Sequence, residues 1–171
     1  MPDFSCGFSP PAPDVISLAH GAGGKSMHDL IGGLIHSLYA PGFAPDHDSA
    51  VFEGRGRLAF TTDSYVVKTL FFPGGDIGKL AIYGTVNDLA MAGARPLYIS
   101  CSFILEEGLP YSVLERVCSS IAEAAQRSKV SIVTGDTKVV GRGQADGLFV
   151  NTAGIGSVAD GISIHPRHVC S

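Results

Sequence analysis

The sequence predicts an α+β fold, a mixed, largely antiparallel four-stranded sheet of order β-α-β-α-β-β with helices on one face. Three observations carry it. Apolar residues recur at helical spacing in three segments, which alternate with β-rich runs. The last two β-like runs, SIVTGDTKVV and GLFVNTAGIGSV, follow one another with only a turn between them. Strict alternation would give a doubly wound parallel sheet, and this terminal pair, read as a hairpin, breaks it.

The elements follow in order. Residues 1–15, MPDFSCGFSPPAPDV, read as a disordered leader, because Pro10, Pro11 and Pro13 suit neither a helix nor a central strand. After VISLAHG, the run SMHDLIGGLIHSLY places Met27, Leu30, Ile31, Leu34, Ile35 and Leu38 on one helical face, with Ser26 as its cap. Gly32 and Gly33 weaken that helix by about 1 kcal/mol each. A loop rich in Pro, Gly and Asp follows, with a short strand expected at 50–52. LAFTTDSYVVK is the first long strand. Residues 76–93 form a helix apolar nearly all round, hence packed on several sides.

RPLYISCSFIL is a strand apolar on both faces. Residues 110–128 form a helix with Pro110 in its first turn and Val113, Val117, Ile121 and Ala124 inward. Gly141-Arg142-Gly143 and Asp146-Gly147 make the turn between the last strands. Helices on one side leave the other sheet face to be covered by a second domain or subunit.

The 171 residues, 45% hydrophobic and 16% charged, suit one domain. A net charge of -4 without a Lys/Arg cluster argues against nucleic acid as a partner. No apolar run reaches the length of a membrane span, and no signal sequence opens the chain. Cys6, Cys101, Cys118 and Cys170 are scattered without a C-x-x-C pair, so a reduced, cytoplasmic setting is expected.

Five short segments carry chemistry: HGAGGK (20–25), HDSA (47–50), TTDSY (61–65), NDLAMAGA (87–94) and TGDTK (134–138). At 100° per residue Asp88 shares a stripe with Ile77, Ala81, Gly84 and Met91, and a carboxylate on an apolar stripe needs compensation. A core Lys or Arg would provide it; so would a metal ion. Asp48, Asp63 and Asp136 follow or end β-like runs, where side chains converge, although Asp63 and Asp136 also suit Asx turns. With Asp88 they make four carboxylates of the kind that bind Mg²⁺ together with substrate phosphates.

HGAGGK is not a Walker A loop and also reads as a plain turn before a helix. Lys25 and Lys138 each follow a glycine-containing turn, where they can meet phosphate as point charges. His20, His28, His36 and His47 have no metal-like spacing, and His28 and His36 read as surface residues.

Together HGAGGK, TTDSYVV, LFFPGGDIGKLAIYGTVNDLAMAGARP, ILEEGLP and IVTGDTKVV resemble the HypE family of hydrogenase maturation proteins over roughly residues 16–158. Its superfamily includes aminoimidazole ribonucleotide synthase, selenophosphate synthetase and thiamine-monophosphate kinase. The resemblance implies an N-terminal ATP-binding domain whose sheet pairs with a second copy into a barrel, with ATP and Mg²⁺ in clefts near that interface. It implies an ATP-dependent carbamoyl dehydratase that turns a C-terminal cysteine thiocarboxamide into thiocyanate, the source of the cyanide ligand on a [NiFe] hydrogenase iron.

By position in the family motifs, Asp48, Asp63, Asp88 and Asp136 become the metal candidates. Gly21, Gly23, Gly24, Lys25, Asp63, Asp88, Gly135 and Asp136 become the nucleotide-binding set. Asp88, Asn87 and Lys138 become the residues acting on phosphate or substrate. HypF and the HypC–HypD complex become partners beside the homodimer.

The family pattern continues into a second α/β domain with a Pro-Arg-Ile-Cys type tail. The ending HPRHVCS differs from that tail in spacing and in Ser171 after the cysteine. Residues 159–171 therefore read as the entry to a second domain and the chain as an N-terminal fragment, inactive alone. A non-catalytic dimerisation and docking module for HypF and HypC–HypD is the competing reading. A related superfamily kinase is a third, against which FFPGGDIGK and ILEEGLP speak.

Overall fold

The computed structural model describes residues 14–39, 41, 49–54, 56–165 and 167. Its elements are α1 (Lys25–Gly33), β1 (Arg57–Tyr65), β2 (Phe71–Phe72), β3 (Gly75–Asp76), α2 (Ile77–Met91), β4 (Ala94–Glu106), α3 (Tyr111–Ser128), β5 (Ser131–Thr134), β6 (Thr137–Val140) and β7 (Leu148–Val158). Two single 3-10 turns, Leu18–Gly21 and Ile35–Leu38, flank α1. No helix among the described residues is long and apolar enough to cross a membrane.

The mixed α+β character holds, but the sheet differs from the expectation in two ways. It has five strands, not four, in the order β1-β7-β4-β5, with β6 also pairing β4. SIVTGDTKVV is two strands, split at Gly135-Asp136. There is no closing hairpin: β7 lies antiparallel between β1 and β4, whereas β5 and β6 run parallel to β4. Long-range pairing of β7 with two long partners outweighs the short local turn that the sequence offers.

Period-two burial sets the two faces. Ile99, Cys101, Phe103 and Leu105 of β4 and Leu148, Val150 and Thr152 of β7 point under the helices and are buried. Burial pushes the Cys118 thiol up to about 12 and raises that of Cys101 as well, so neither is a nucleophile at neutral pH. The alternate residues face away from the helices and include Leu58, Phe60 (69% exposed) and Ile104. Part of that face is covered, because Phe52 stacks on Tyr98 with ring centroids 4.4 Å apart. Residues 50–52, expected as a strand, are irregular.

The helices carry smaller corrections. Gly24, not Ser26, is the cap of α1, and the helix ends at Gly33, so that Ile35–Leu38, expected to continue it, form a separate 3-10 turn beyond the two weakening glycines. In α3 the inner stripe is Leu114, Val117, Cys118, Ile121, Ala124 and Ala125, with Val113 only half-buried. α2 packs on the sheet on one side and on α3 on another, as expected, but leaves Leu80, Tyr83 and Met91 exposed. Its crossing with α3 requires Gly78, where a Cβ would lie 2.8 Å from the Val117 carbonyl. Asp14 and Val15, read as leader, are tied to the start of α3: the Tyr111 amide donates to the Asp14 carbonyl and Val15 bridges Pro110. Residues 1–13 lie outside the described residues.

Candidate functional site

The sequence-predicted groups divide between the two edges of the sheet. At the β1 edge, Thr61, Asp63 and Tyr65 alternate on the face that meets α2. Oγ1 of Thr61 donates to Oδ2 of Asp88, 3.1 Å away. Asp88 is exposed, against the expectation of an acid on a buried stripe. The buried stripe of α2 runs through Ile77, Ala81, Thr85 and Leu89 with Gly78 and Ile82. Asp88 is displaced from its centre by roughly 60° at 100° per residue. Asn87 is exposed beside it.

The buried carboxylate of this segment is Asp76. It caps α2 by accepting from the Lys79 amide at 3.0 Å and accepts from Oγ of Ser120 at 2.6 Å. Helical periodicity pointed to the wrong acid; the N-cap pattern of Asp ahead of an apolar run was the available signal.

Below Asp63, Tyr65 reaches into the core. Its hydroxyl lies 3.4 Å from Oγ1 of Thr85, which in turn meets the hydroxyl of Thr152. Burial is the main cause raising the Tyr65 phenol, with Asp63 adding to it. Gly84 makes room for this ring, since a Cβ there would lie 2.3 Å from the Tyr65 hydroxyl.

The opposite edge holds the glycine loop and the β5–β6 turn together. Gly21 packs on β6 so closely that a Cβ would sit 2.9 Å from Val139 Cβ. Gly135 lies on β4, where a Cβ would be 1.9 Å from the Cys101 carbonyl oxygen. The Asp136 amide donates to Oγ of Ser102, and the Asp136 carbonyl accepts from Phe103. Lys138 Nζ donates to Asp136 at 3.1 Å, and Lys25 pairs with Asp29, all four side chains being exposed. Gly23 turns the loop at φ 76°. Gly24 caps α1 without a side chain, so it leaves first-turn N–H groups of α1 for an outside acceptor. Ser102 and Tyr39, the latter with its phenol raised by burial, then Cys101 and Asp136, were not legible as neighbours of this turn.

Three strand steps separate these edges, roughly 14 Å. Among the described residues no three His, Cys, Asp or Glu side chains gather as a metal cage, so one chain does not bring Asp63, Asp88 and Asp136 together. Asp48 lies outside the described residues, as do His47, Cys6 and Cys170. His28 and His36 are exposed, as expected. A cavity of about 480 Å³ lined by Arg57, Ala92, Ser163, His165 and Arg167 shares no residue with either group.

Residues 46–158, well over half of the chain, match the family model for the AIR synthase related protein, N-terminal domain. The chain belongs to this family. Within it, the carbamoyl dehydratase HypE of Bradyrhizobium diazoefficiens is 53% identical over 151 residues, covering 87% of this chain and 44% of that protein. HypE of Escherichia coli K12 is 56% identical over 151 residues, 84% of this chain and 45% of that protein. The chain thus spans under half the length of these HypE relatives.

The fold agrees with the HypE part of the family. A crystal structure of HypE in complex with ATP superposes with a TM-score of 0.81 at 52% identity, covering 84% of this chain and 43% of that one. HypE in a HypE–HypF complex gives 0.62 at 47% identity, over 78% and 44%. The resemblance read from HGAGGK and NDLAMAGARP is therefore to the right relatives.

Proposed function

We propose that this chain is the ATP-binding and dimerisation domain of a HypE-type carbamoyl dehydratase, an enzyme that serves [NiFe] hydrogenase maturation. The observation that carries the reading is the docking of the glycine loop on β6. It sets Lys25, the open first turn of α1, and the Asp136–Lys138 pair on one edge. Backbone N–H groups at a helix start with lysines nearby suit a polyphosphate. A relative with the same fold was crystallised with ATP.

Mg²⁺ fits the donor chemistry of the other edge. Asp63 and Asp88 offer hard oxygen ligands on one seam, and Mg²⁺ takes one or two carboxylates plus phosphate oxygens rather than a full protein cage. Bound Mg-ATP would supply a phosphoryl group able to convert an amide oxygen into a leaving group. The chain's own part is electrostatic. Lys25 and Lys138 offset charge on the phosphates, Asn87 orients an oxygen, and the carboxylates hold the cation.

The uncovered sheet face, with Phe60, Leu58 and Ile104, suits a second copy of the chain. A two-fold pairing of sheets would supply across the interface the groups that one chain keeps roughly 14 Å apart. In this reading the thiocyanate chemistry, the cysteine tether and the cyanide destination are those of a full-length enzyme of the HypE type. Within this reading the domain is cytoplasmic and works with HypF and HypC–HypD.

Separation of the acids within one chain favours a second reading, a docking module for HypF and HypC–HypD that binds no nucleotide. Calorimetric titration of the 171-residue chain with Mg-ATP separates the two. Saturable binding supports the first; no heat with Mg-ATP and retained binding to HypF supports the second.

A further inference from the structure

We propose that His20 is a neutral hydrogen-bond donor to a phosphate oxygen of the bound nucleotide; this rests on the Mg-ATP reading above. His20 is 6% exposed, and Gly21 beside it holds the loop on β6. The Ser17 backbone N–H donates to His20 Nδ1 at 3.0 Å, and Oγ of Ser17 lies 3.0 Å from the same nitrogen. A backbone N–H can only donate, so Nδ1 must present its lone pair, and the single proton of the neutral ring sits on Nε2. The Ser17 carbonyl, 3.2 Å from Nδ1, would need the other tautomer, which would set one N–H against another.

Nε2 is thereby left as the free donor. It has no hydrogen-bond partner among the described residues, and it is not sealed from solvent, since no buried side-chain nitrogen or oxygen lacks a partner. A largely buried imidazole, locked in one tautomer and keeping its one N–H for the outside, is a directional donor. It directly precedes the glycine loop that opens α1, and Gly21 beside it packs on Val139 of β6, the residue after Lys138. Both lysines of this edge are already paired with carboxylates, so what His20 adds is direction rather than charge.

Two amide variants separate this role from that of a structural cap. In His20→Asn, the side-chain oxygen reaches the place of Nδ1, keeps the Ser17 bond and removes the Nε2 donor. In His20→Gln, the amide nitrogen reaches the place of Nε2 and the Ser17 bond is lost. With the 171-residue chain and Mg-ATP in calorimetry, His20→Asn should bind about tenfold more weakly or worse at an unchanged melting temperature. His20→Gln should melt lower yet bind within about threefold of the parent.

The reverse pattern makes His20 a cap only and overturns the inference, as does a parent that binds while His20→Asn binds equally. A parent chain that binds no Mg-ATP overturns the nucleotide reading and this inference with it. Nitrogen-15 shifts of the His20 ring in the unaltered chain give a check that needs no variant: the Nε2–H tautomer is expected, and Nδ1–H would overturn the proposal.

Discussion

Thr61 on β1 and Asp88 on α2 are joined by a hydrogen bond, Oγ1 to Oδ2 across 3.1 Å. It crosses the seam between strand and helix at the sheet edge, with Asp63 two residues along β1. The bond holds an exposed carboxylate in one orientation at the place where Asp63 and Asn87 also reach the surface. Asp88 is thus compensated by solvent and a hydroxyl.

Exposure changes what substitution of Asp88 should do. Asp88→Asn should move stability by no more than about 0.5 kcal/mol, because the site is on the surface. Mg-ATP affinity should fall by more than tenfold if the carboxylate holds the cation. Denaturant unfolding and Mg-ATP titration of the same preparation measure both. Unaltered affinity removes Asp88 from the site.

Asp76 is the acid whose loss should destabilise the chain most. Asp76→Ala removes the cap of α2 and leaves the buried Ser120 hydroxyl without its acceptor. A lost cap costs about 1 kcal/mol and an unsatisfied buried group about 1–3 kcal/mol, so a loss of roughly 2–4 kcal/mol is expected in urea unfolding. A change under 1 kcal/mol would mean that neither bond contributes.

Gly84 and Tyr65 should be coupled. Gly84→Ala places a methyl against the Tyr65 hydroxyl and should cost about 1–3 kcal/mol. Tyr65→Phe removes the oxygen, so the double variant should be less destabilised than the two single losses added together. A double-mutant cycle giving strict additivity would place the strain elsewhere.

Phe60 tests the second copy. At 69% exposure it stands out on the uncovered sheet face with Leu58 and Ile104. The chain should sediment as a dimer at low micromolar concentration, and Phe60→Glu should make it a monomer of unchanged circular dichroism. A parent chain that already sediments as a monomer contradicts sheet pairing.

Glu106 gives a pH dependence. Its carboxylate accepts from the amides of Gly143 and Gly147, which hold its pKa below the usual carboxylate range. A lowered folded value means that this clasp is complete above the ordinary carboxylate pKa of about 4.3 and is lost as pH falls through the folded value. Hydrogen exchange at the two glycine amides should therefore be protected at neutral pH and lose protection on acidification. In Glu106→Gln that acid step should vanish. An acid step that persists assigns it to another group.

Much of this arrangement is legible in the chain itself. The i, i+3, i+4 spacing in 111–128 marks α3 and most of its inner stripe, and the same spacing marks α1 but runs past its end at Gly33. The joint occurrence of HGAGGK, NDLAMAGARP and TGDTK points to the family that residues 46–158 match. These are local properties, decided by backbone propensity and side-chain order, and any window of the sequence contains them.

Which elements become neighbours is decided only by the tertiary structure. β7 pairs with β1 and β4 rather than with the β6 that precedes it, because nine paired residues on the β1 side and eleven on the β4 side outweigh a short turn. That insertion carries Asp63 and Asp136 to opposite edges, although both end strand-like runs in the sequence. Periodicity likewise orders residues around α2 but does not say which side meets the sheet. The packing of Gly154 against Thr85 and Leu89 turns Thr85 inward and Asp88 out. Spacing along a chain fixes angles within an element; the choice of partner is a competition between distant surfaces, settled only when they meet.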